Sequence, residues 1–260
     1  MIKLLLRDDK SLCADKVFKE QAIKYYMQIE LTKKPRKPTI IGGFPGFGLV
    51  GMIATEYLIN HLDTIEIGRI WSEKLPAIVA IQDSELVQPL QIFYNKKYNL
   101  VIVQGLAAMH GSEWEISEAV AKLASDLKAK EIVTLEGIGG QGDSVYAYTT
   151  DIKKRAVLKK DFELMQKGII VGITGALLVS TKDKKPAVCF LAQTKTGLPD
   201  SKAAAKLVEA LDKYLGLGID YKPLLKQAEV FETKLKGIMQ DSKQAFAGVK
   251  KAKADQSYFG

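Results

Sequence analysis

The stretch of residues 40–51, IIGGFPGFGLVG, decides the fold of this chain because it joins three kinds of local structure in direct succession. Residues 39–43 are a short β-rich run, and residues 44–48 have the glycine and proline content of a turn. Residues 49–62 then carry apolar side chains at helical spacing. The pattern predicts a strand, a glycine loop and a helix.

Downstream of this unit, strand-like and helix-like patterns alternate. The strand-like runs are residues 64–71, 77–82, 86–94, 100–104, 131–136 and 187–193. The helix-like segments are residues 112–127, where Ser112 and Glu115 have the spacing of a capping box, and residues 200–215, closed by Gly216 and Gly218. Residues 172–179 are an apolar segment punctuated by glycines, which favours a turn and a short helix over a strand. This alternation predicts the α/β class, a three-layer α/β/α fold around a mostly parallel sheet.

Changes in composition divide the chain into four parts. Residues 1–38 mix short apolar pieces with charge and are predicted to form an N-terminal appendage, and residues 39–221 form the α/β core domain. Residues 222–250 are predicted to form a C-terminal helix, and residues 251–260 a flexible tail. The helix prediction rests on a heptad seam of Leu224, Ala228, Phe231, Leu235, Ile238, Ser242, Ala245 and Val249.

Composition limits the classes of function. The 260 residues are 47% hydrophobic, which is enough for one substantial core, and their net charge is +8. The two cysteines have no metal-ligand spacing, and no run approaches the roughly 18 apolar residues of a membrane span. We therefore expect a cytoplasmic protein that does not enter a membrane.

The glycine loop contains a literal G-x-G-x-x-G at Gly46, Gly48 and Gly51, with Glu66 twenty residues past the first glycine. This pattern is typical of a dinucleotide site, in which the backbone approaches a pyrophosphate. Pro45, however, removes a backbone donor where phosphate would lie. The residues therefore favour a structural strand-to-helix turn, with a nucleotide- or metabolite-binding enzyme as the alternative.

A second glycine-rich stretch, residues 137–142, follows a predicted strand end, where parallel sheets place their ligands. Glu136 and Asp143 are candidate acid, base or magnesium ligands there. No Lys-Ser/Thr ending accompanies the glycines, so a flexible connecting loop is the favoured interpretation of this stretch.

Few residues offer nucleophilic or metal chemistry. His110 beside Ser112 is a possible base and nucleophile, but Ser112 is already accounted for as a helix cap. His61 falls within a helical pattern, and Cys189 within an apolar strand. We predict no catalytic residues, no metal and no cofactor.

Basic residues cluster in residues 33–37, 153–160 and 182–185. These clusters have no interleaved aromatic residues and no reading helix, which specific nucleic-acid binding needs. They are interpreted as solvated surface, so nucleic acid is not a predicted partner, and salt-sensitive binding of nucleic acid is the weakest alternative.

The C-terminus is unusual because two adjacent aromatic residues follow a polar stretch. Tyr258, Phe259 and the free carboxylate of Gly260 come after Lys250 to Ser257. Aromatic side chains can fill a pocket, and a terminal carboxylate can pair with a cation. We predict that these three residues bind a partner protein.

Three motifs in order resemble the proteasome assembly chaperone family: residues 43–51, residues 172–178 and residues 198–204. The resemblance covers about residues 39–236. It implies an α/β/α core with no established cofactor or catalytic set to carry over.

Some archaeal members of this family end in a hydrophobic-Tyr-any motif. Here Tyr258 would take the hydrophobic place and Phe259 the tyrosine place, without its hydroxyl. The resemblance implies a non-enzymatic assembly chaperone or activator-like protein whose tail, ending at Gly260, docks between α-subunits of the proteasome core particle. Because one such tail is weak, a homo-oligomer presenting several is expected.

Overall fold

The computed structural model describes residues 27–82, 84–182, 185–195 and 197–224. Within these ranges the strands are β1 Gln28–Leu31, β2 Thr39–Gly43, β3 Ile65–Trp71, β4 Ala80–Gln82, β5 Glu85–Val87, β6 Leu90–Asn95, β7 Leu100–Gly105, β8 Glu131–Gly139, β9 Val145–Thr149, β10 Glu163–Leu164 and β11 Val188–Thr194. The α-helices in the same ranges are α1 Val50–His61, α2 Glu113–Asp126, α3 Ile152–Leu158, α4 Gly172–Thr181 and α5 Ser201–Leu215.

Nine of these strands form one sheet in the order β1-β3-β6-β7-β2-β8-β11-β9-β10. The four central strands, β7, β2, β8 and β11, are parallel to one another. In the register of this centre, Ile41 is paired with Ile102 on one side and Val133 on the other. Strands β6 and β9 join the centre antiparallel, and β4 with β5 forms a separate two-stranded hairpin.

Helices cover both faces of the sheet centre and create two apolar cores. Helices α1 and α5 pack together on one face, while α2 and α4 pack together on the other. Side chains of β2 alternate between the two cores, because Ile40 belongs to one and Ile41 to the other. The predicted α/β class and three-layer arrangement around a parallel centre are confirmed.

The sheet has two distinct edges along the strand axis. Strands β2, β3, β7, β8 and β11 all run in one direction, because β3 and β7 are both antiparallel to β6. We call the end where these five strands finish the carboxyl edge, and the opposite end the amino edge. The glycine loop, the β4–β5 hairpin and the start of α5 all follow strands that finish at the carboxyl edge.

Several local predictions are corrected. Ser112 stands at the N-cap of α2 but makes no capping hydrogen bond, because its hydroxyl points to the carbonyl of Lys74 at 3.5 Å. The predicted flexible loop after Glu136 is partly strand, since residues 137–139 continue β8 beside β11. The predicted strand of residues 86–94 is two strands, β5 and β6. The sequence pattern did not predict β1, β9, α3 or β10.

The predicted outer parts of the chain lie mostly outside the described residues. Residues 1–26 of the predicted appendage and residues 225–260 of the predicted helix and tail are not described. The described end of the N-terminal part contributes β1, which pairs antiparallel with β3 at the border of the sheet. No helix among the described residues is long and apolar enough to cross a membrane.

Helix α1 lies in direct backbone contact with β8. A Cβ atom on Gly51, in the first turn of α1, would lie 2.0 Å from the carbonyl oxygen of Leu135. That distance is far below van der Waals contact, and a backbone atom cannot rotate away as a side-chain end can. Glycine at this position therefore sets how closely α1 approaches the sheet.

We expect Gly51→Ala to lower the free energy of unfolding by about 3 kcal/mol, because the helix must move off the strand. The matched control is Gly139→Ala, where the nearest atom is a Phe47 ring carbon at 3.7 Å. The control should change stability by less than about 1 kcal/mol. Urea unfolding measures both, and equal stability of the two variants would contradict the close contact.

Candidate functional site

The three sequence motifs that carry the family resemblance meet at the carboxyl edge, around the ends of β2, β8 and β11. The glycine loop that follows β2 lies over Glu136 of β8 and over Thr194 of β11. Thr174, from the start of α4, faces Glu136, and Asp200, before α5, is bonded to the loop. We call this cluster of loop, Glu136, Thr174, Thr194 and Asp200 the loop site.

The loop lies directly on the carboxylate of Glu136. A Cβ atom on Gly46 would lie 1.9 Å from Oε1 of Glu136, so only glycine fits there without displacing the carboxylate. On the neighbouring residue of the strand, a Cβ on Gly137 would lie 2.0 Å from the carbonyl oxygen of Phe47. Glycines on both sides of the contact thus allow the loop to close over β8.

Burial beneath the loop leaves Glu136 only 5% exposed. This burial raises the pKa of its carboxyl to about 7, because a charged carboxylate loses its hydration. The hydroxyl of Thr174 and the backbone N–H groups of Gly137 and Phe47 oppose the rise, and the Gly137 nitrogen lies 3.1 Å from Oε1. The carboxyl therefore exchanges a proton near neutral pH.

Asp200 fixes the other side of the loop to α5. Its backbone N–H donates to the carbonyl of Gly48 at 3.0 Å, and its carboxylate accepts from the Thr194 hydroxyl at 2.7 Å. The same carboxylate caps α5 by accepting from the Ala203 N–H at 3.0 Å. Gly48 itself has a φ of 68°, in the left-handed region that favours glycine. One carboxylate therefore joins the strand, the loop and the helix.

The glycine loop does not have the form of a phosphate cradle. The space that a side chain would occupy at its glycines is already filled by other protein atoms. Glu136 fills this space at Gly46, and Leu135 fills it at Gly51. Glu66 is also misplaced for ribose binding, because β6 and β7 separate its strand from β2. Its carboxylate instead accepts from the side-chain amide of Gln91 at 2.9 Å.

The other candidate residues are not brought into a reactive arrangement. His110 is exposed, with Nδ1 3.8 Å from Oε1 of Glu113, and Ser112 is directed to the Lys74 carbonyl, so the two side chains have separate partners. Nδ1 of His61 lies 2.9 Å from the carbonyl of Tyr57. Burial raises the pKa of the Cys189 thiol to about 12. Among the described residues, no three or more acidic, histidine or cysteine side chains form a metal cluster.

The remaining predicted site residues have other positions. Asp143 is exposed and forms an ion pair with Lys206, which lowers the pKa of its carboxyl. In the basic cluster of residues 153–160, Lys154 pairs with Glu131. Tyr258, Phe259 and Gly260, the predicted partner-binding residues, lie outside the described residues.

Reasoning from the sequence identified Glu136 as a candidate but did not connect it with Gly46 or Thr174. The available signal was an acidic residue between Leu135 and Gly137, at the end of an apolar strand. Such a residue in a buried strand is unusual, because burial of a charge is costly unless the group is neutral or paired.

Comparison with known proteins identifies a family and related proteins. Residues 40–239 match the model of the PAC2 family. A protein of Methanocaldococcus jannaschii described as uncharacterized is 28% identical over 205 residues, which cover 78% of this chain and 86% of that protein.

Two solved structures from Pyrococcus furiosus are also similar. PbaA, described as an archaeal homolog of proteasome-assembly chaperone, has 27% sequence identity and a TM-score of 0.76, over 84% of this chain and 99% of PbaA. PbaB, described as an archaeal proteasome activator, has 25% identity and a TM-score of 0.69, over 82% of this chain and 99% of PbaB. The resemblance drawn from the three motifs is confirmed.

The raised pKa of Glu136 makes stability depend on pH. The folded state favours the protonated form of this carboxyl. The contribution of the carboxyl to the free energy of unfolding is therefore full below its unfolded pKa near 4.5, and it is lost as the pH rises through its folded pKa of about 7. Between pH 5 and pH 8 we expect the native chain to lose about 2 kcal/mol of unfolding free energy relative to Glu136→Gln, whose amide does not ionise.

Urea unfolding at both pH values measures this difference. Glu118→Gln, at an exposed position of α2, is the matched control and should keep the pH dependence of the native chain. If Glu136→Gln and the native chain follow the same pH profile, Glu136 does not carry a raised pKa in the folded state.

Proposed function

The chain belongs to the PAC2 family, and we propose that it is a non-enzymatic protein of the proteasome assembly chaperone or activator type that binds the proteasome core particle. The observation that carries this proposal is the similarity in fold to PbaA, which extends over 99% of that chain at a TM-score of 0.76. The similarity to PbaB, described as a proteasome activator, supports the same class of partner.

The loop site supports a structural interpretation of the glycine motif rather than an enzymatic one. Its glycines are explained by contacts with Glu136 and the Leu135 carbonyl, and Asp200 is occupied as a helix cap. The site thus positions α1, α4 and α5 on the sheet. Under the proposed function, these packed elements are a rigid body, and contact with the proteasome is made elsewhere on the chain.

We assign the proteasome contact to the C-terminal residues Tyr258, Phe259 and Gly260. The two aromatic side chains would fill a pocket between α-subunits, and the free carboxylate would pair with a cation there. Phe259 lacks the hydroxyl of the tyrosine in the related motif, so the affinity of a single tail is expected to be low. Several tails on a homo-oligomer would compensate through effective concentration.

The path of the chain after α5 suits this role. Residues 216–224 return along the body at the amino edge, where the hydroxyls of Tyr57 and Tyr98 donate to the carbonyls of Asp220 and Leu217. Leu224, the last described residue, is buried against the α1–α5 core. Residues 225–260 then begin from a fixed point, and an extended segment of that length could span on the order of 100 Å.

We expect removal of residues 258–260 to weaken binding to archaeal proteasome core particles at least tenfold, a loss of about 1.4 kcal/mol or more of binding free energy. The measurement is a pull-down titration with proteins that have native, untagged C-termini. Gln256→Ala, within the same tail but outside the proposed docking residues, is the matched control and should bind like the native chain.

Further variants distinguish the ways in which the proposed docking could be wrong. One residue added after Gly260 should weaken binding as truncation does, because it moves the carboxylate. Equal binding by native and truncated chains would contradict the tail as the docking element. If no form binds core particles or α-rings, the proteasome is not the partner, and a rise in melting temperature with nucleotides would then favour the enzymatic alternative.

A further inference from the structure

The amino edge of the sheet gathers lysine and arginine residues from four separate parts of the chain. These are residues 33–37 before β2, residues 96–97 before β7, residues 128–130 before β8, and Lys182 and Lys185 before β11. All four of these strands start at the amino edge, because they are parallel to one another. We call the surface formed by these residues the basic edge.

The basic edge supplies the whole positive net charge of the chain. It contains ten lysine and arginine residues, whereas the net charge of all 260 residues is +8. Asp183 and Lys184, which lie between Lys182 and Lys185 in the sequence, carry charges that cancel. The remainder of the chain is therefore slightly acidic in composition.

Hydrogen bonds between the loops hold three of these parts against one another. The Lys37 N–H donates to the Leu127 carbonyl at 2.9 Å, and the Lys130 N–H donates to the Pro38 carbonyl at 2.8 Å. The side-chain amide of Asn99, in the loop that carries residues 96–97, donates to the Lys37 carbonyl at 3.1 Å. These bonds fix the positions of the loops that carry the charges.

Most of these cationic side chains face solvent. Lys185 is half-buried, and its ammonium donates to the Ala129 carbonyl, which joins the fourth part of the basic edge to the third. The other nine cationic residues are exposed. None of the ten forms an ion pair with another residue that the structure describes.

Acidic residues near this edge leave its charge uncompensated. Asp126 and Glu131 pair with lysines that are not part of the basic edge. Asp63 and Asp220 also lie at the amino edge, but within the described part of the chain they form no ion pair with its ten cations. A concentration of like charge on one surface creates a positive potential that attracts a polyanion.

The composition of the basic edge favours a chain of phosphates over a folded protein as its partner. The only apolar residues within its stretches are Pro35 and Ala129, and Ala129 is buried. The centre of a protein–protein interface is usually enriched in aromatic residues and depleted in lysine. Nine lysines and one arginine without an apolar centre instead suit a partner with closely spaced negative charges, such as a nucleic-acid backbone.

The basic edge also lacks the exposed aromatic rings on which single-stranded nucleic acid stacks its bases. Tyr98 follows the lysines of residues 96–97, but its hydroxyl donates to the Leu217 carbonyl, and Nζ of Lys97 lies 4.6 Å from its ring centre. The ring is therefore already engaged on the protein. A duplex, whose bases are stacked internally, needs no such ring.

The length of the basic edge suits a duplex. It extends along five neighbouring strands, β6, β7, β2, β8 and β11, which together span about 19 Å. A double helix of that length carries about eleven phosphate charges. Loops rather than a helix form this edge, so its lysines are suited to contact phosphates and not the base edges within a groove.

We propose that the basic edge binds the phosphate backbone of double-stranded nucleic acid without reading its sequence. Considered separately, the clusters at residues 33–37 and 182–185 are solvated surface, and the sequence gives no reason to join them. The fold brings lysines of both clusters together with those of residues 96–97 and 128–130. This proposal does not depend on proteasome binding.

The salt dependence of binding tests the proposal. Fluorescence anisotropy with the full-length chain and a DNA duplex of about 24 base pairs, between about 50 and 200 mM salt, should give a slope near −5 in a plot of log binding constant against log salt concentration, as expected for about six phosphate contacts. An RNA duplex of the same sequence should bind within about threefold, because both backbones present phosphates. A preference for RNA of more than about tenfold would indicate contacts to 2′-hydroxyls and contradict binding through phosphates alone.

The test variant removes four exposed charges from three parts of the basic edge: Lys34→Gln, Arg36→Gln, Lys96→Gln and Lys130→Gln. Its slope should weaken by about 3, and its Kd for the DNA duplex should rise at least about tenfold at about 100 mM salt. Urea unfolding should give native stability, because these side chains form no ion pairs with other described residues.

The matched control removes the same charge on the carboxyl side of the body: Lys159→Gln, Lys160→Gln, Lys195→Gln and Lys202→Gln. These residues are also exposed, and they lie before β10, after β11 and at the start of α5. The control should bind the duplex within about twofold of the native chain, since long-range effects of exposed charges are screened by salt.

Four results would overturn the proposal. An equal loss of affinity in the control variant would show that net charge, and not the basic edge, governs binding. Tighter binding to a single strand than to the duplex would show that bases are contacted. Binding to vesicles of phosphatidylserine and phosphatidylcholine, with none to the duplex, would identify an anionic membrane surface as the partner. No binding to either at about 50 mM salt would show that the basic edge is solvated surface.

Discussion

The contact between Gly51 of α1 and the Leu135 carbonyl of β8 is the constraint on which the rest of the structure depends. At a Cβ-to-oxygen distance of 2.0 Å, no side chain is compatible with the helix in this position. The close approach brings the preceding loop over the end of β8, where Gly46 meets Glu136 and Gly48 meets Asp200. Because Asp200 also caps α5, the positions of two helices on one face follow from one short stretch of backbone.

The buried carboxyl of Glu136 adds an electrostatic contribution at this contact. A carboxyl beneath a backbone loop is stable there when it is neutral or hydrogen-bonded, and ionisation without hydration is costly. With a pKa of about 7, Glu136 is partly ionised near neutral pH, and the hydroxyl of Thr174 and the N–H groups of Gly137 and Phe47 stabilise its charged form. The loop is therefore held by a balance between desolvation and hydrogen bonding.

The two edges of the sheet carry different features of the molecule. The carboxyl edge carries the loop site, the apolar β4–β5 hairpin and the entry of the chain at Met27. At the amino edge, residues 216–224 are bonded to Tyr57 and Tyr98, and the chain continues from there toward its C-terminal tail. The proposed proteasome contact thus begins at the end of the body opposite the apolar hairpin.

The sequence by itself determined the α/β class, the strand–loop–helix unit of residues 39–62 and the central strands, because their apolar periodicity and glycine placement are local signals. It also supplied the three motifs from which the family was recognised. Only the tertiary structure decided that Gly46 and Thr174 lie against Glu136 and that Asp200 joins Gly48 to α5, since these contacts join segments far apart in the chain. It likewise decided that Ser112 bonds to Lys74 rather than capping α2, and that residues 137–139 extend β8 beside β11. In both cases a residue or strand that is distant in sequence overrides the structure that the neighbouring residues favour. Local sequence patterns cannot predict these contacts, because the fold determines which distant segments come together.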